Sequence, residues 1–250
     1  NRGRVWIGTQ NGVTLIEGKL IQKFGSSKGL PAANIIKIIS ANDKIYAATS
    51  TKGIFVLGPD GNFNKTNIVK GSSLSTMEKV GDRLFVSTNL ENILYDGENV
   101  AFMGKGFPNL KIKDVHASGD KVWYVAEDRL IKKMGKTFSS EKIIFSSNKV
   151  KIQAFFSDGT TDYFGTNQGL WERKGKVNNP RLMKNINVLT LEQTSNGELL
   201  VGSKKGLYFL KKGKLKPYSP SGDENKNLKN TPVRDIKFIS EKEIWYATFG

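Results

Sequence analysis

Apolar and polar positions along this chain alternate in short runs bounded by turn residues. Ile35-Ile36-Lys37-Ile38-Ile39 is followed by Ala41-Asn42-Asp43 and then by Lys44-Ile45-Tyr46-Ala47-Ala48. Short apolar runs of this kind predict β-strands joined by hairpins, and no stretch sustains the period of about 3.6 residues that a helix requires. Equivalent tight turns are expected at Gly81-Asp82, Gly119-Asp120, Asp158-Gly159, Asn196-Gly197 and Glu241-Lys242. Asp-Gly and Asn-Gly pairs predict type I′ turns, which need positive φ at both central positions. A second column of turns contains Gly18, Gly58 to Gly61, Gly97, Gly135, Gly175 and Gly213, so much of the glycine serves as turn residues.

The runs repeat. Val5-Trp6-Ile7-Gly8-Thr9 with Gly12-Val13 returns as Tyr46 to Thr49 with Gly53-Ile54, and as Phe85 to Thr88 with Asn92-Ile93. It returns again as Trp123 to Ala126, Tyr163 to Thr166, Leu200 to Ser203 and Trp245 to Thr248. Anchored on Thr9, Thr49, Thr88, Ala126, Thr166, Ser203 and Thr248, the spacings are 40, 39, 38, 40, 37 and 45 residues. Four strands in about 40 residues is the signature of a β-propeller blade. The expected fold is therefore all-β, a propeller of four-stranded antiparallel blades, here strands A to D with A nearest the axis. Complete sets should begin near Asn34, Thr76, Ile112, Val150 and Ile186, flanked by B-C-D at the start and A-B at the end. Residues 1–250 then read as one propeller segment of a longer protein, cut inside a blade at both ends. Seven blades are favoured, with six as the alternative. The column Trp6, Tyr46, Phe85, Trp123, Tyr163, Leu200 and Trp245 should fill the space between blades. Gly8, Ala48, Ser87, Gly165, Gly202 and Ala247 should keep that face thin, with Val125 as the bulky exception.

Composition narrows the chemistry. The chain of 250 residues has no cysteine, which excludes thiol catalysis, disulfides and Cys-ligated metal. Its single histidine, His116, excludes a multi-His metal site, and no cofactor or metal is expected. No apolar run approaches a membrane span, and no leader peptide opens the sequence. The net charge is +16, from 39 Lys and Arg against 23 Asp and Glu, and only 7 of those cations are arginine. Lysines scattered from Lys19 to Lys242, densest from Lys204 to Lys216, suit a solvated strand surface better than a nucleic-acid interface. Nucleic acid is accordingly disfavoured, and an acidic polysaccharide is at least as good an anionic partner.

Val5-Trp6-Ile7-Gly8-Thr9 with Asn11-Gly12-Val13, Asn196-Gly197 with Val201-Gly202-Ser203 and Gly206-Leu207, and Asp158-Gly159 with Phe164-Gly165-Thr166 and Gly169-Leu170 resemble the two-component regulator propeller repeat. Leu30-Pro31, with Phe107-Pro108 and Thr231-Pro232 as variants, matches the Leu-Pro that precedes its inner strand. The third and fourth repeats depart from it, with Leu90-Glu91-Asn92 and Glu127-Asp128-Arg129 in place of the glycine turn. The resemblance implies an extracytoplasmic sensor of a bacterial hybrid or one-component regulator, periplasmic or extracellular. It also implies adjoining propeller or signalling domains, and a homodimer as one arrangement.

Propeller ligands usually bind where D–A and B–C loops converge. That places candidate ligand-binding residues at Gln10, Asn11, Lys52, Asn89, Glu127, Arg129, Asn167, Gln168, Lys204 and Lys205. Amides and short charged groups suit sugar hydroxyls or carboxylates. No catalytic residue is assigned. Glu127-Asp128 and Asp223-Glu224 are adjacent in sequence, so on a strand they would face opposite ways and could not act as a paired acid and base. The expected function is non-enzymatic sensing of an oligosaccharide, an acidic one given the charge. A scaffold in an envelope complex and a carbohydrate-active enzyme are the alternatives. The segment Pro217 to Pro232, which lengthens the last period, is expected to be a flexible loop.

Overall fold

The computed structural model describes residues 3–69, 73–104, 106–118, 120–175, 179–218, 228, 230–241 and 243–248. The chain divides into two compact units, Asn1–Ile112 and Lys113–Gly250.

The first unit holds three antiparallel sheets. They are β1 (Arg4–Thr9), β2 (Gly12–Glu17) and β3 (Leu20–Phe24); β4 (Ile35–Ala41), β5 (Lys44–Thr49), β6 (Ile54–Leu57) and β7 (Phe63–Lys65); and β8 (Leu74–Val80), β9 (Arg83–Thr88), β10 (Asn92–Tyr95) and β11 (Val100–Phe102). The second unit holds β12 (Asp114–Ser118), β13 (Lys121–Val125), β14 (Arg129–Met134) and β15 (Thr137–Lys142), then β16 (Ile152–Ser157), β17 (Thr161–Thr166), β18 (Gly169–Lys174) and β19 (Arg181–Lys184). It continues with β20 (Val188–Gln193), β21 (Leu199–Ser203), β22 (Gly206–Lys211) and β23 (Lys214–Pro217), and with the pair β24 (Val233–Ser240) and β25 (Glu243–Thr248). Five sheets thus have four strands in sequence order, one has three and one has two. The architecture is that of a β-propeller, and each predicted strand A begins within about two residues of its expected place. One turn of 3-10 helix covers Ser26–Lys28.

Trp6, Tyr46, Trp123, Tyr163 and Leu200 of the aromatic column pack against the next blade. Trp6 packs with Ile35, Ile38, Ala47 and Phe63 of the next blade, its ring centroid 6.5 Å from that of Phe63. Tyr46, Phe85 and Trp123 are buried, and Tyr163 and Trp245 are partly so. Leu200 packs with Val233 and Ile236. The thin positions are thin because a blade sits against them: a Cβ at Gly8 would stand 2.8 Å from Ile35 Cγ2, and one at Gly165 2.6 Å from Val188 Cγ1. Val125 fills its larger space beside Val150, Ile152 and Phe164. A buried arginine pins two blades of the second unit together. Arg173 on β18 donates to Asp162 Oδ2 at 2.7 Å and to Glu141 Oε1 on β15 at 2.7 Å, over the Phe164 ring.

The turns correct one expectation. Asn42 and Asp43 have φ of 49° and 55°, the type I′ geometry. At Asp158-Gly159 and Asn196-Gly197 only the glycine is left-handed. Asp158 Oδ1 instead accepts the Thr160 and Thr161 N–H groups at 2.8 and 2.7 Å, and this side-chain turn removes the need for a second positive φ. The turns at Gly119 and Lys242, and most of the Pro217 to Pro232 loop with Asp223-Glu224, lie outside the described residues.

Candidate functional site

The candidate residues sit on the hairpins between strands B and C, and the geometry begins with the anchor residue. Thr49 Oγ1 donates to Gly53 O at 2.7 Å and accepts the Lys52 N–H at 2.9 Å. Thr166 does the same with Gly169 O at 2.8 Å and the Gln168 N–H at 3.1 Å. Ser203 does so with Gly206 O at 2.9 Å and the Lys205 N–H at 3.0 Å, and Thr9 and Thr88 form equivalent clamps. The recurring hydroxyl is therefore a turn-forming device, a role sequence reasoning missed although the Thr/Ser column signalled it. The glycine that follows lets strand C approach strand D: at Gly12, φ +132°, a Cβ would lie 2.2 Å from Phe24 O.

The same end of each blade receives the segment leading into strand A. Ser50 N–H donates to Asn34 O at 2.9 Å, Asn89 N–H to Ser73 O at 3.1 Å, Asn167 N–H to Lys151 O at 3.1 Å and Lys204 N–H to Asn187 O at 2.9 Å. The B–C and D–A segments thus meet in these four blades.

That convergence uses up some candidates. Asn89 Oδ1 accepts the Ser73 N–H at 3.0 Å. Asn167 accepts the Lys151 N–H at 2.7 Å and donates to Lys149 O at 3.0 Å. These two amides brace loops, leaving little capacity for a ligand. Glu127 stands between Lys113 and Lys151 at 3.5 and 3.6 Å, and Arg129 lies 3.4 Å from Asp128. Gln10, Asn11, Lys52, Lys204 and Lys205 are exposed, and Gln168 is half-buried. In the first unit Lys52 borders a cavity of about 330 Å³ with Ser26, Pro31, Phe55 and Lys65. Lys65, Lys149, Lys151 and Lys184 belong to this end too, and they were overlooked because the lead-in segments carry no repeat motif.

His116 is accounted for by packing. Its ring lies 5.1 Å from Phe156 and 5.5 Å from Trp123, and Nε2 is 3.2 Å from Ser157 O. Burial holds its pKa below the usual 6.5, only partly offset by the Ser157 carbonyl and by Asp114. Asp158 is held below the usual carboxylate range: burial opposes ionisation, but hydrogen bonds from Thr160 and Thr161 outweigh it. Among the described residues no helix is long and apolar enough to cross a membrane.

No protein-family model and no curated sequence matches the chain. Solved structures do match. Over 99% of its length the chain is similar, with TM-score 0.80 and 19% identity, to the extracellular domain of BT4673 from B. thetaiotaomicron, assigned as a one component system, and it covers 36% of that chain. PorZ, a bacterial surface component of the type-IX secretion system of Porphyromonas gingivalis, matches with TM-score 0.64 and 13% identity over 98% of this chain and 34% of that one. Virginiamycin B lyase from Staphylococcus aureus matches with TM-score 0.73 and 11% identity over 99% of this chain and 89% of that one. The chain thus spans about a third of the first two. At such identities the likeness is one of fold. By its repeat and its strand order the chain is a β-propeller, and its fold is similar to that of the extracellular domain of BT4673.

Proposed function

We propose that this chain is a non-catalytic, extracytoplasmic ligand-binding propeller of a bacterial signalling protein, and that it senses an oligosaccharide. The observation that carries the reading is the match over nearly the whole chain to the extracellular domain of BT4673. The convergence of B–C and D–A segments supports a site at that end of the blades. Hydrogen-bonded backbones there present lysines and amides to solvent, groups that suit sugar hydroxyls and carboxylates. Occupancy would stabilise one packing of the propeller against its neighbouring domains, and the signal is that shift in population.

A melting screen against neutral and acidic oligosaccharides tests the reading. A ligand at about 100 times its Kd should add about 2.7 kcal/mol and raise the Tm by several degrees. A shift with one glycan class that survives moderate salt supports sensing. No shift with any glycan would sink it and turn the search toward protein partners of a scaffold. Turnover of a bound glycan would overturn the non-catalytic part.

A further inference from the structure

The two ends of the blades β16–β19 and β20–β23 differ in charge. At the end where B–C and D–A segments meet, residues 144–151, 167–168, 184–187 and 204–205 include Lys149, Lys151, Lys184, Lys204 and Lys205 and no carboxylate. All five lysines are exposed. Lys151 reaches Glu127 of the preceding blade at 3.6 Å, a carboxylate it shares with Lys113. Among the described residues the other four make no ion pair. The opposite end is mixed: Lys211 pairs with Glu198 at 2.8 Å, Arg173 with Asp162 at 2.7 Å and Arg181 with the buried Glu172, while Lys174, Lys212 and Lys214 make no ion pair among the described residues.

The backbone beneath the unpaired lysines is fixed. Asn167 clamps both Lys149 O and Lys151 N, Lys204 N–H donates to Asn187 O, and Asn187 Oδ1 accepts from Gln153 at 3.0 Å. Like charges held on a rigid base repel one another, and that repulsion is relieved only when an anion arrives. The row contains no arginine, and its one aromatic, Phe145, is packed edge-on against Phe164 and Trp171. A surface without exposed rings offers nothing for bases to stack on. Exposed amides at Asn148 and Asn185 can meet hydroxyls.

We infer that this end of the two blades binds an extended polyanionic glycan, with Lys149, Lys151, Lys184, Lys204 and Lys205 neutralising its carboxylates or sulfates. The inference rests on the oligosaccharide-sensing reading and names the class of sugar.

The experiment measures binding of the 250-residue chain to four probes: a sulfated heparin oligosaccharide, an oligogalacturonate, a neutral dextran oligosaccharide and duplex DNA of matched charge. Two variants accompany it. One is Lys149→Gln/Lys184→Gln/Lys204→Gln/Lys205→Gln. The other removes the same charge at other sites, as Lys121→Gln/Lys133→Gln/Lys212→Gln/Lys214→Gln. The expected result is that one or both acidic glycans bind more tightly than DNA. The first variant should then lose about tenfold or more in affinity and show a shallower salt dependence, with the second within about twofold of the parent. Sulfated and carboxylated probes separate the two anion chemistries. Equal loss in both variants, or DNA binding as tightly as the glycans, overturns the inference. Binding of dextran that neither variant alters overturns it too, but leaves the sensing reading standing. Failure of every glycan removes the sensing reading itself. Seven of the eight lysines are exposed and Lys133 is half-buried, so an unchanged Tm in each variant is required before any loss is read as lost binding.

Discussion

The hairpin between β17 and β18 and the one between β13 and β14 occupy the same place in neighbouring blades, yet different chemistry closes them. In the first, the Thr166 hydroxyl binds Gly169 O and the Gln168 N–H. A bulge between Ile152 and Ala154 lets Ile152 pair with Thr166. In the second, Ala126 has no hydroxyl, and its N–H donates to Arg129 O at 3.0 Å. Strand β12 has no bulge, and Asp114 pairs with Val125 one residue earlier. The bulge recurs at Ile35/Lys37, Leu74/Thr76, Val188/Thr190 and Val233/Asp235. In the four blades of Thr49, Thr88, Thr166 and Ser203, hydroxyl clamp and bulge go together. The fourth blade keeps its hairpin with backbone pairing and exposed charge alone.

The largest test of this contrast is steric. The glycine at the start of strand C accompanies the clamp, and at Gly206, φ +118°, a Cβ would fall 2.6 Å from Leu228 O. Gly206→Ala should cost about 2–4 kcal/mol, since both the backbone conformation and the carbonyl oppose the methyl group. Arg129→Ala, at the equivalent place in the unclamped blade, should stay within about 0.5 kcal/mol. Equal costs in chemical denaturation would show that the two hairpins do not differ as argued. Next comes Thr166→Val, which keeps the shape and removes a fully buried hydroxyl. It should cost about 1–2 kcal/mol, the loss of two hydrogen bonds with their backbone partners left behind. A cost near zero would make the clamp a consequence of the turn and not its cause.

The fold was legible because it is periodic. A strand repeated at near-constant spacing announces its partners, and the Trp6 and Gly8 columns announce which face meets the next blade. The B–C hairpins were legible as positions but not as roles. Asn89 and Asn167 look like polar ligand groups in sequence, whereas the structure turns them onto the backbone of the lead-in loops. Such contacts join segments 16 residues apart, and nothing in the local pattern marks them. Lys149 and Lys184 were missed for the converse reason: they lie in segments whose sequence does not repeat, and only the folded blade brings them to the hairpins.

The bulge-free register of β12 also places His116 opposite Trp123 and against Phe155 and Phe156. Its pKa is depressed by burial, so the folded state favours neutral imidazole while the unfolded chain titrates near 6.5. Stability from this group is complete above pH 6.5 and is lost as pH falls through the lower folded value. The Tm should drop between pH 7.5 and pH 5.5, and His116→Gln should flatten that part of the profile. An unchanged slope would place the acid sensitivity elsewhere, with carboxylates such as Asp158 the next to examine. Ala126→Thr offers a gain instead. A hydroxyl at this buried position can reach Arg129 O as its counterparts reach their glycines, for about 0.5 kcal/mol of added stability. A loss would indicate that the clamp needs the bulge before it.

The smallest effect is the most discriminating, because it separates side chain from backbone at one residue. Glu127 O accepts the Ile152 N–H at 2.8 Å, a bond between blades that no substitution of its side chain removes. Its carboxylate, half-exposed, stands 3.5 Å from Lys113 and 3.6 Å from Lys151. Pairs this open and this long are worth about 0–0.5 kcal/mol and fade with salt. Glu127→Gln should therefore leave the denaturation midpoint almost unchanged. At the same time it removes the carboxylate that pairs with Lys151 of the lysine row, so a polyanion should bind about twofold tighter at low salt and no tighter at high salt. A stability loss above about 1 kcal/mol would mean that the charges, not the backbone, close the fourth hairpin. Unchanged stability with tighter binding would assign the two atoms of one residue to two tasks, the carbonyl to the fold and the carboxylate to restraining the field above it.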